Sequence, residues 1–281
     1  MEWMDRLNQA VQYLEEHLTE EIHYEEAARI ACCSTYHFQR MFAYMAGIPL
    51  SEYIRRRRMS LAAADLQAGA RILDIALKYG YTSPTAFNRA FQSIHGIAPS
   101  LVKEGGVQLK AYSPLRFQIM IQGVTEMTYR IEKKEAFRIV GISQAMEQDI
   151  EKNFQMVPQL WQKVAADGTI PRLVGLMNAE PKGILGVSAC NENEDWRYWI
   201  GVASTSPSQD LEEYMVPAFT WAIFQGEGPC PQAIQELEKR IITEWLPTSG
   251  YEYDNGPDIE VYLEPDPQKA RFEVWIPVVK K

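Results

Sequence analysis

Two stretches of the chain match at a fixed offset of 49 residues, and each has the pattern of a short helix entered through a capped turn. The first runs Ser34-Thr35-Tyr36-His37-Phe38-Gln39-Arg40-Met41-Phe42 and on to Gly47-Ile48; the second runs Ser83-Pro84-Thr85-Ala86-Phe87-Asn88-Arg89-Ala90-Phe91 and on to Gly96-Ile97. Ser, Phe, Arg, Phe, Gly and Ile coincide in one register, as a duplicated supersecondary unit would leave them. Ser34 and Ser83 read as N-caps, Pro84 fits a first helical position where its missing N–H costs nothing, and Gly47 and Gly96 read as C-cap glycines. Phe38 with Phe42, and Phe87 with Phe91, are four apart and share a buried face, which turns Gln39, Arg40, Asn88 and Arg89 away from it.

Each copy reads as the second half of a helix-turn-helix. The helices before them also correspond, Ala27 and Arg29 matching Ala76 and Lys78. Between the copies, residues 50–66 contain no breaker and read as one connecting helix. At 1.5 Å per residue it spans roughly 27 Å, close to the ~34 Å between successive major-groove faces of B-DNA. One chain can therefore set two reading helices on one side of a duplex. Of the run Arg55–Arg58, at most two side chains can face phosphates; the others are expected to pair with the acidic first helix.

The net charge of −9 is unevenly spread. Residues 1–26 hold one Arg against eight acids, residues 27–103 hold ten Lys and Arg against three acids, and residues 104–281 hold 17 basic residues against 26 acids. The basic excess coincides with the repeat, as phosphate binding requires.

Residues 1–103, through Tyr36–Phe42, Tyr53–Met59, Ile75–Tyr81 and Phe87–Phe91, resemble the DNA-binding domain of the AraC/XylS family of transcription regulators. The resemblance implies base contacts from Tyr36, Gln39 and Arg40 in the first reading helix and from Thr85, Asn88 and Arg89 in the second. Arg suits guanine, and Gln or Asn suits adenine. Pro84 stands where relatives often have a polar side chain, which implies fewer bases read by the second helix.

A multidomain chain is expected: an all-α double helix-turn-helix domain over 1–105, a linker over 106–126, and an α+β pseudo-twofold domain over 127–281. Glu104-Gly105-Gly106 and Ser113-Pro114-Leu115 are the linker signals. Alternating runs at Tyr129–Lys133, Phe137–Ile142, Ile184–Ala189, Trp196–Ala203, Tyr214–Pro217, Phe219–Gln225, Ile259–Glu264 and Arg271–Val278 predict strands. Helical patterns at Asp149–Ala166 and Pro231–Trp245 interrupt them, so that strands, helix, strands occur twice. Phe137 and Phe219 open corresponding strands, and Trp199 and Trp275 lie in corresponding last strands.

On the final strands Ile259, Val261 and Leu263 share one face, which is expected to pack on the helices. Glu260 and Tyr262 then lie on the other. Trp199 and Trp275 fall opposite the larger apolar sets of their own strands and are placed with Glu260. An acid among aromatic rings suits a cation. Trp245–Tyr253 followed by Gly256–Tyr262 resembles the C-terminal signature of GyrI-like domains. That resemblance implies that Glu260 meets cationic, aromatic ligands; alternation adds Tyr262, Trp199 and Trp275 as the candidate rings beside it.

The order, DNA-binding domain first and sensor second, resembles the Rob-type arrangement. A ligand-responsive regulator of double-stranded promoter DNA is expected, with a small-molecule effector and RNA polymerase as its other partners. Two alternatives stand beside it: a protein-interaction module in the C-terminal half, and a hydrolase of strained electrophiles fused to a DNA-binding domain. All four His fall in the first half, leaving the second no His base or His ligand, so no catalytic residue, metal or cofactor is expected. Cys32 and Cys33 are adjacent while Cys190 and Cys230 are isolated, which is neither a zinc nor a disulfide pattern. No apolar run of about 18 residues and no signal segment is apparent, so a cytoplasmic protein away from membranes is expected.

Overall fold

The computed structural model describes all residues except 1–2, 105, 119–125, 148–149, 191–194, 209, 265 and 267. Gly105, Asp149 and residues 119–125 of the expected linker thus lie outside the described residues. The chain divides into two compact units, 1–118 and 119–281.

The first unit is helical: α1 (Trp3–Glu16), α2 (Tyr24–Ile30), α3 (Thr35–Ala46), α4 (Leu50–Gln67), α5 (Ile72–Lys78), α6 (Pro84–His95) and a 3-10 turn at Pro99–Lys103. The duplication appears as two matched pairs, α2–α3 and α5–α6. The Ser34 hydroxyl accepts from the His37 amide at 3.3 Å, and the Ser83 hydroxyl from the Ala86 amide at 3.4 Å. Both helices end on a left-handed glycine, Gly47 at φ +70° and Gly96 at φ +78°. Four first-turn amides and four last-turn carbonyls need partners at every helix end, and these caps supply some of them. Helix α4 serves both halves. Its Tyr53 ring packs on Phe42 of α3 at 5.3 Å, while Met59, Ala62, Ala63 and Leu66 join Phe87 and Phe91 of α6 in a second core.

The second unit is one sheet with helices. Its strands are β1 (Tyr129–Lys134), β2 (Phe137–Ala145), β3 (Ile184–Cys190), β4 (Trp196–Ala203), β5 (Glu212–Val216), β6 (Phe219–Gly228), β7 (Tyr251–Tyr253), β8 (Asp258–Glu264) and β9 (Ala270–Lys280). The helices are α7 (Ile150–Ala166), α8 (Thr169–Leu176) and α9 (Gln232–Arg240), the last running into a π-helical turn at Ile241–Trp245. Sequence periodicity missed α8 and β7, both short; α8 follows directly on the left-handed Gly168 and carries an internal Pro171. The sheet order is β1-β6-β9-β8-β3-β4-β2-β5, with β7 added to β9. Read from the central β8–β3 pair, the order is the same in both directions, which is the expected pseudo-twofold. The outermost strands are exchanged between the halves: β1 precedes β2 but pairs with β6, and β5 precedes β6 but pairs with β2.

Candidate functional site

The two reading helices present their outward residues differently. On α6, Thr85 and Arg89 are exposed and Asn88 is half-buried. On α3, Tyr36 is half-buried, while Gln39 and Arg40 are 5% and 7% exposed, and the Arg40 guanidinium lies 5.6 Å from the Tyr44 ring. The sequence put Gln39 and Arg40 on an open surface, because repeat logic treats the copies as equal; in the fold only the second copy is open.

Helix α4 uses its arginines mostly on the protein itself. Arg57 clamps Glu15 of α1 through Nε at 2.8 Å and Nη2 at 2.6 Å, and its Nη1 donates to the Tyr112 carbonyl. Arg58 donates to the Leu18 and Glu20 carbonyls, both at 2.8 Å. Arg55 and Arg56 pair with Glu52 one turn earlier on α4. Pairing with the acidic first helix is therefore real for Arg57, while Arg58 binds backbone carbonyls in the turn just beyond that helix.

In the second unit the strand register decides which side chains meet. Glu260 on β8 stands opposite Gly186 on β3 and Val274 on β9, and Gly186 in turn stands opposite Ile200 on β4. This face carries the helices, since Tyr198, Ile200 and Val202 pack with Leu160 and Val164 of α7 and Leu173 of α8. Glu260 therefore lies on the helix face. The Tyr198 hydroxyl donates to Glu260 Oε2 at 3.1 Å and the Tyr262 hydroxyl donates to the same oxygen at 2.9 Å. Trp161 of α7 donates its indole N–H to the Tyr198 hydroxyl at 2.9 Å, and its ring lies 4.8 Å from that of Tyr262. Gly186 leaves the space for this group, because a β-carbon there would lie 2.3 Å from the Tyr198 hydroxyl. Burial first, and then the Glu260 charge, hold the Tyr262 hydroxyl well above the usual tyrosine range. The same two causes push the Cys230 thiol up to about 11, which puts the turn before α9 within electrostatic reach of Glu260.

The expected facing of β8 is corrected. Ile259 and Val261 do not pack on the helices; they join Val187, Trp199, Trp221 and Trp275 in the core on the other side of the sheet. Trp199 and Trp275 do share a face, but it is the one opposite Glu260 and Tyr262. The expectation assumed one covered face and one open face, on which the more apolar set must meet the helices. Here both faces are buried, so apolarity no longer tells them apart. Trp275 is held there by Glu273, whose carboxylate accepts its indole N–H at 2.8 Å and pairs with Arg130 at 2.7 Å. Burial would raise the Glu273 carboxyl, but bonds from Arg130 and Trp275 leave it below its ordinary value.

The sequence missed Tyr198, Trp161 and Gly186 as members of the group around Glu260. Of these only Gly186 left a trace, as a glycine inside an apolar strand, which marks a close approach. Among the described residues no cluster of His, Cys, Asp and Glu could hold a metal ion, and no helix is long and apolar enough to cross a membrane.

Comparison with known proteins agrees with this division. Residues 27–105 match the helix-turn-helix domain model, and residues 130–278 match the model of Cass2, an integron-associated effector binding protein. The HTH-type transcriptional activator AarP of Providencia stuartii is 37% identical over 98 residues, covering 34% of this chain and 73% of AarP. The right origin-binding protein of Escherichia coli strain K12 is 27% identical over 288 residues, with 95% of each chain covered. The solved structure of SAV2435 bound to tetraphenylphosphonium covers 54% of this chain and 94% of its own, at 22% identity and a TM-score of 0.49, a likeness that carries no conclusion about a ligand. A duplicated helix-turn-helix under a basic charge excess, followed by a pseudo-twofold sheet of the Cass2 and GyrI-like kind, makes this chain a DNA-binding transcription regulator of the AraC family with a C-terminal effector-binding domain.

Proposed function

We propose that the effector is a cationic or amphipathic aromatic small molecule and that it is recognised at Glu260, on the helix face of the sheet. The observation that carries this reading is the Glu260 carboxylate among the rings of Trp161, Tyr198 and Tyr262, with two phenol hydroxyls aimed at one of its oxygens. Ring faces attract a cation electrostatically, and a carboxylate in a poorly hydrated setting supplies the opposite charge that a desolvated cation needs. Trp199 and Trp275 have no part in this recognition.

On the DNA side, Thr85, Asn88 and Arg89 of α6 read one major-groove segment, and α3 meets the next through Tyr36, with Gln39 and Arg40 held within the fold at 5% and 7% exposed. Effector binding alters the affinity for promoter DNA or the contact with RNA polymerase, in a cytoplasmic protein with no catalytic step of its own. The exposure of Thr85 and Arg89 supports the assignment on α6.

Fluorescence titration of the full chain with rhodamine 6G tests the effector reading. The wild type is expected to bind the dye and the Glu260→Gln variant to bind it at least about tenfold more weakly, the loss of one charge-assisted contact. Equal binding by the two proteins removes Glu260 from the site.

A further inference from the structure

The sequence marks residues 106–118 as the start of a linker, yet in the structure residues 107–118 lie along the first unit as a strap. The strap has no helix or strand of its own, so its backbone polar groups must find side chains or water. They find side chains from three different helices. The Lys110 amide donates to His95 Nδ1 of α6 at 3.2 Å, and the Tyr112 amide to the Ser60 hydroxyl of α4 at 2.9 Å. The Tyr112 carbonyl accepts from Arg57, and the Leu115 amide donates to the Tyr53 hydroxyl at 3.0 Å. Asn8 of α1 closes the series: its Oδ1 accepts from the Phe117 amide at 2.8 Å and its Nδ2 donates to the Phe117 carbonyl at 3.0 Å.

The order of these bonds has a direction. At its start the strap belongs to the second half of the unit, where Leu109 and Tyr112 pack against the core of Phe87 and Phe91. At its end it belongs to the first half, where the Phe117 ring meets Phe42 of α3 edge-on at 5.7 Å and is buried. Phe42 is on the buried side of the first reading helix. Helix α4 alone would join the two halves at one place, leaving each free to tilt about its own end of that helix. The strap joins them a second time, on different residues.

We infer that this strap is a positioning device for DNA reading, with Asn8 and Phe117 as its terminal clamp: it fixes the spacing and tilt between α3 and α6, so that the two helices meet successive major-groove segments together. The inference rests on α3 and α6 being the reading helices. None of the strap's anchor residues has to touch DNA, so its loss changes how rigidly two contacts are coupled and not what either one reads.

The test uses the full chain and a DNA duplex selected by the wild type from a random pool, together with a copy carrying two extra base pairs between the two contacted segments. The wild type is expected to bind the lengthened duplex far more weakly than the selected one, because two base pairs rotate the second segment by a fifth of a turn. The Asn8→Ala, Phe117→Leu double variant is expected to bind the selected duplex about tenfold more weakly and to lose most of the penalty for the insertion, as a loosened pair of readers would. A simple loss of folded protein lowers both affinities by one factor and leaves their ratio unchanged, so the ratio is the deciding quantity. Should the double variant fail to fold by far-UV circular dichroism, the Asn8→Ala single variant is read by the same ratio. An insertion penalty equal in wild type and folded variant overturns the role of the strap alone. A wild type indifferent to the insertion overturns two-helix reading, and the strap's role with it.

Discussion

Gly186 and Glu260 stand opposite one another on β3 and β8, and a β-carbon on Gly186 would lie 2.9 Å from the Glu260 carboxylate and 2.3 Å from the Tyr198 hydroxyl. Tyr198 cannot yield easily, because it is buried and its hydroxyl also accepts from Trp161. Gly186→Ala is therefore expected to cost about 1–3 kcal/mol as an overpacked site. It should also weaken cationic dye binding by displacing the two groups that frame the carboxylate. Urea unfolding and dye titration check both; an alanine variant with wild-type midpoint and affinity would show that the space is not needed.

The Tyr262 hydroxyl gives a prediction with a sign. Burial and the Glu260 charge raise its pKa above the ordinary 10, so the folded chain keeps the proton after the unfolded chain has begun to lose it. Its stabilising contribution is thus whole below pH 10 and is lost as pH rises through the folded value. Tyr262→Phe lacks this titration, and its urea midpoint should fall less steeply above that pH than the wild type's. Parallel midpoint curves would remove Tyr262 from the coupled group.

These residues show what was legible in the sequence and what was not. Caps, C-terminal glycines and the length of α4 are local properties, and Ser34, Gly47 and residues 50–67 declare them directly. The facing of β8 is not local. Ile259, Val261, Glu260 and Tyr262 alternate clearly, but which set meets helices depends on what covers each side of the sheet. The strap was illegible for a related reason: Ser113 and Pro114 mark a break in regular structure equally well in a free linker and in a docked one, and the anchors that dock it lie 15 to 109 residues away.

Arg89 and Arg40 occupy the same repeat position in different surroundings, exposed on α6 and 7% exposed on α3. Arg89→Ala is expected to cost about 1–3 kcal/mol of binding to the preferred operator, and to relax the base preference at one position, without shifting the unfolding midpoint. Arg40→Ala should lower the midpoint as well, since a buried guanidinium leaves its surroundings unfilled. Binding across a set of base-substituted duplexes, with unfolding measured in parallel, separates the two; a destabilised Arg89→Ala protein would contradict this division.

Arg57 and Glu15 form an ion pair whose side chains are 9% and 15% exposed. Removing one partner of such a pair strands the other's charge, so Arg57→Met is expected to cost about 3–5 kcal/mol. The same variant should leave the slope of log affinity against log salt unchanged for the protein that remains folded, because Arg57 neutralises Glu15 and not a phosphate. A slope reduced by about one unit would mean that Arg57 reaches the DNA after all.

His95 makes the docking of the strap depend on pH. Its Nε2 lies 3.1 Å from the Met59 carbonyl and its Nδ1 accepts the Lys110 amide, an arrangement that fits only the neutral ring protonated on Nε2. Burial, offset by the Met59 bond and assisted by the Lys110 charge, lowers its pKa from 6.5. The unfolded chain therefore takes up the proton first as pH falls. The stabilising contribution is complete above 6.5 and is lost as pH drops through the lower folded value. Once protonated, Nδ1 would turn an N–H toward the Lys110 N–H, and that bond must open. Hydrogen exchange of the Lys110 amide, corrected for its intrinsic rate, should show protection at neutral pH and its loss as pH falls through the lowered folded value. In His95→Gln, which carries no titrating proton, the same amide should exchange without that step. Protection of Lys110 that is constant over the range in the wild type would contradict the role given to His95.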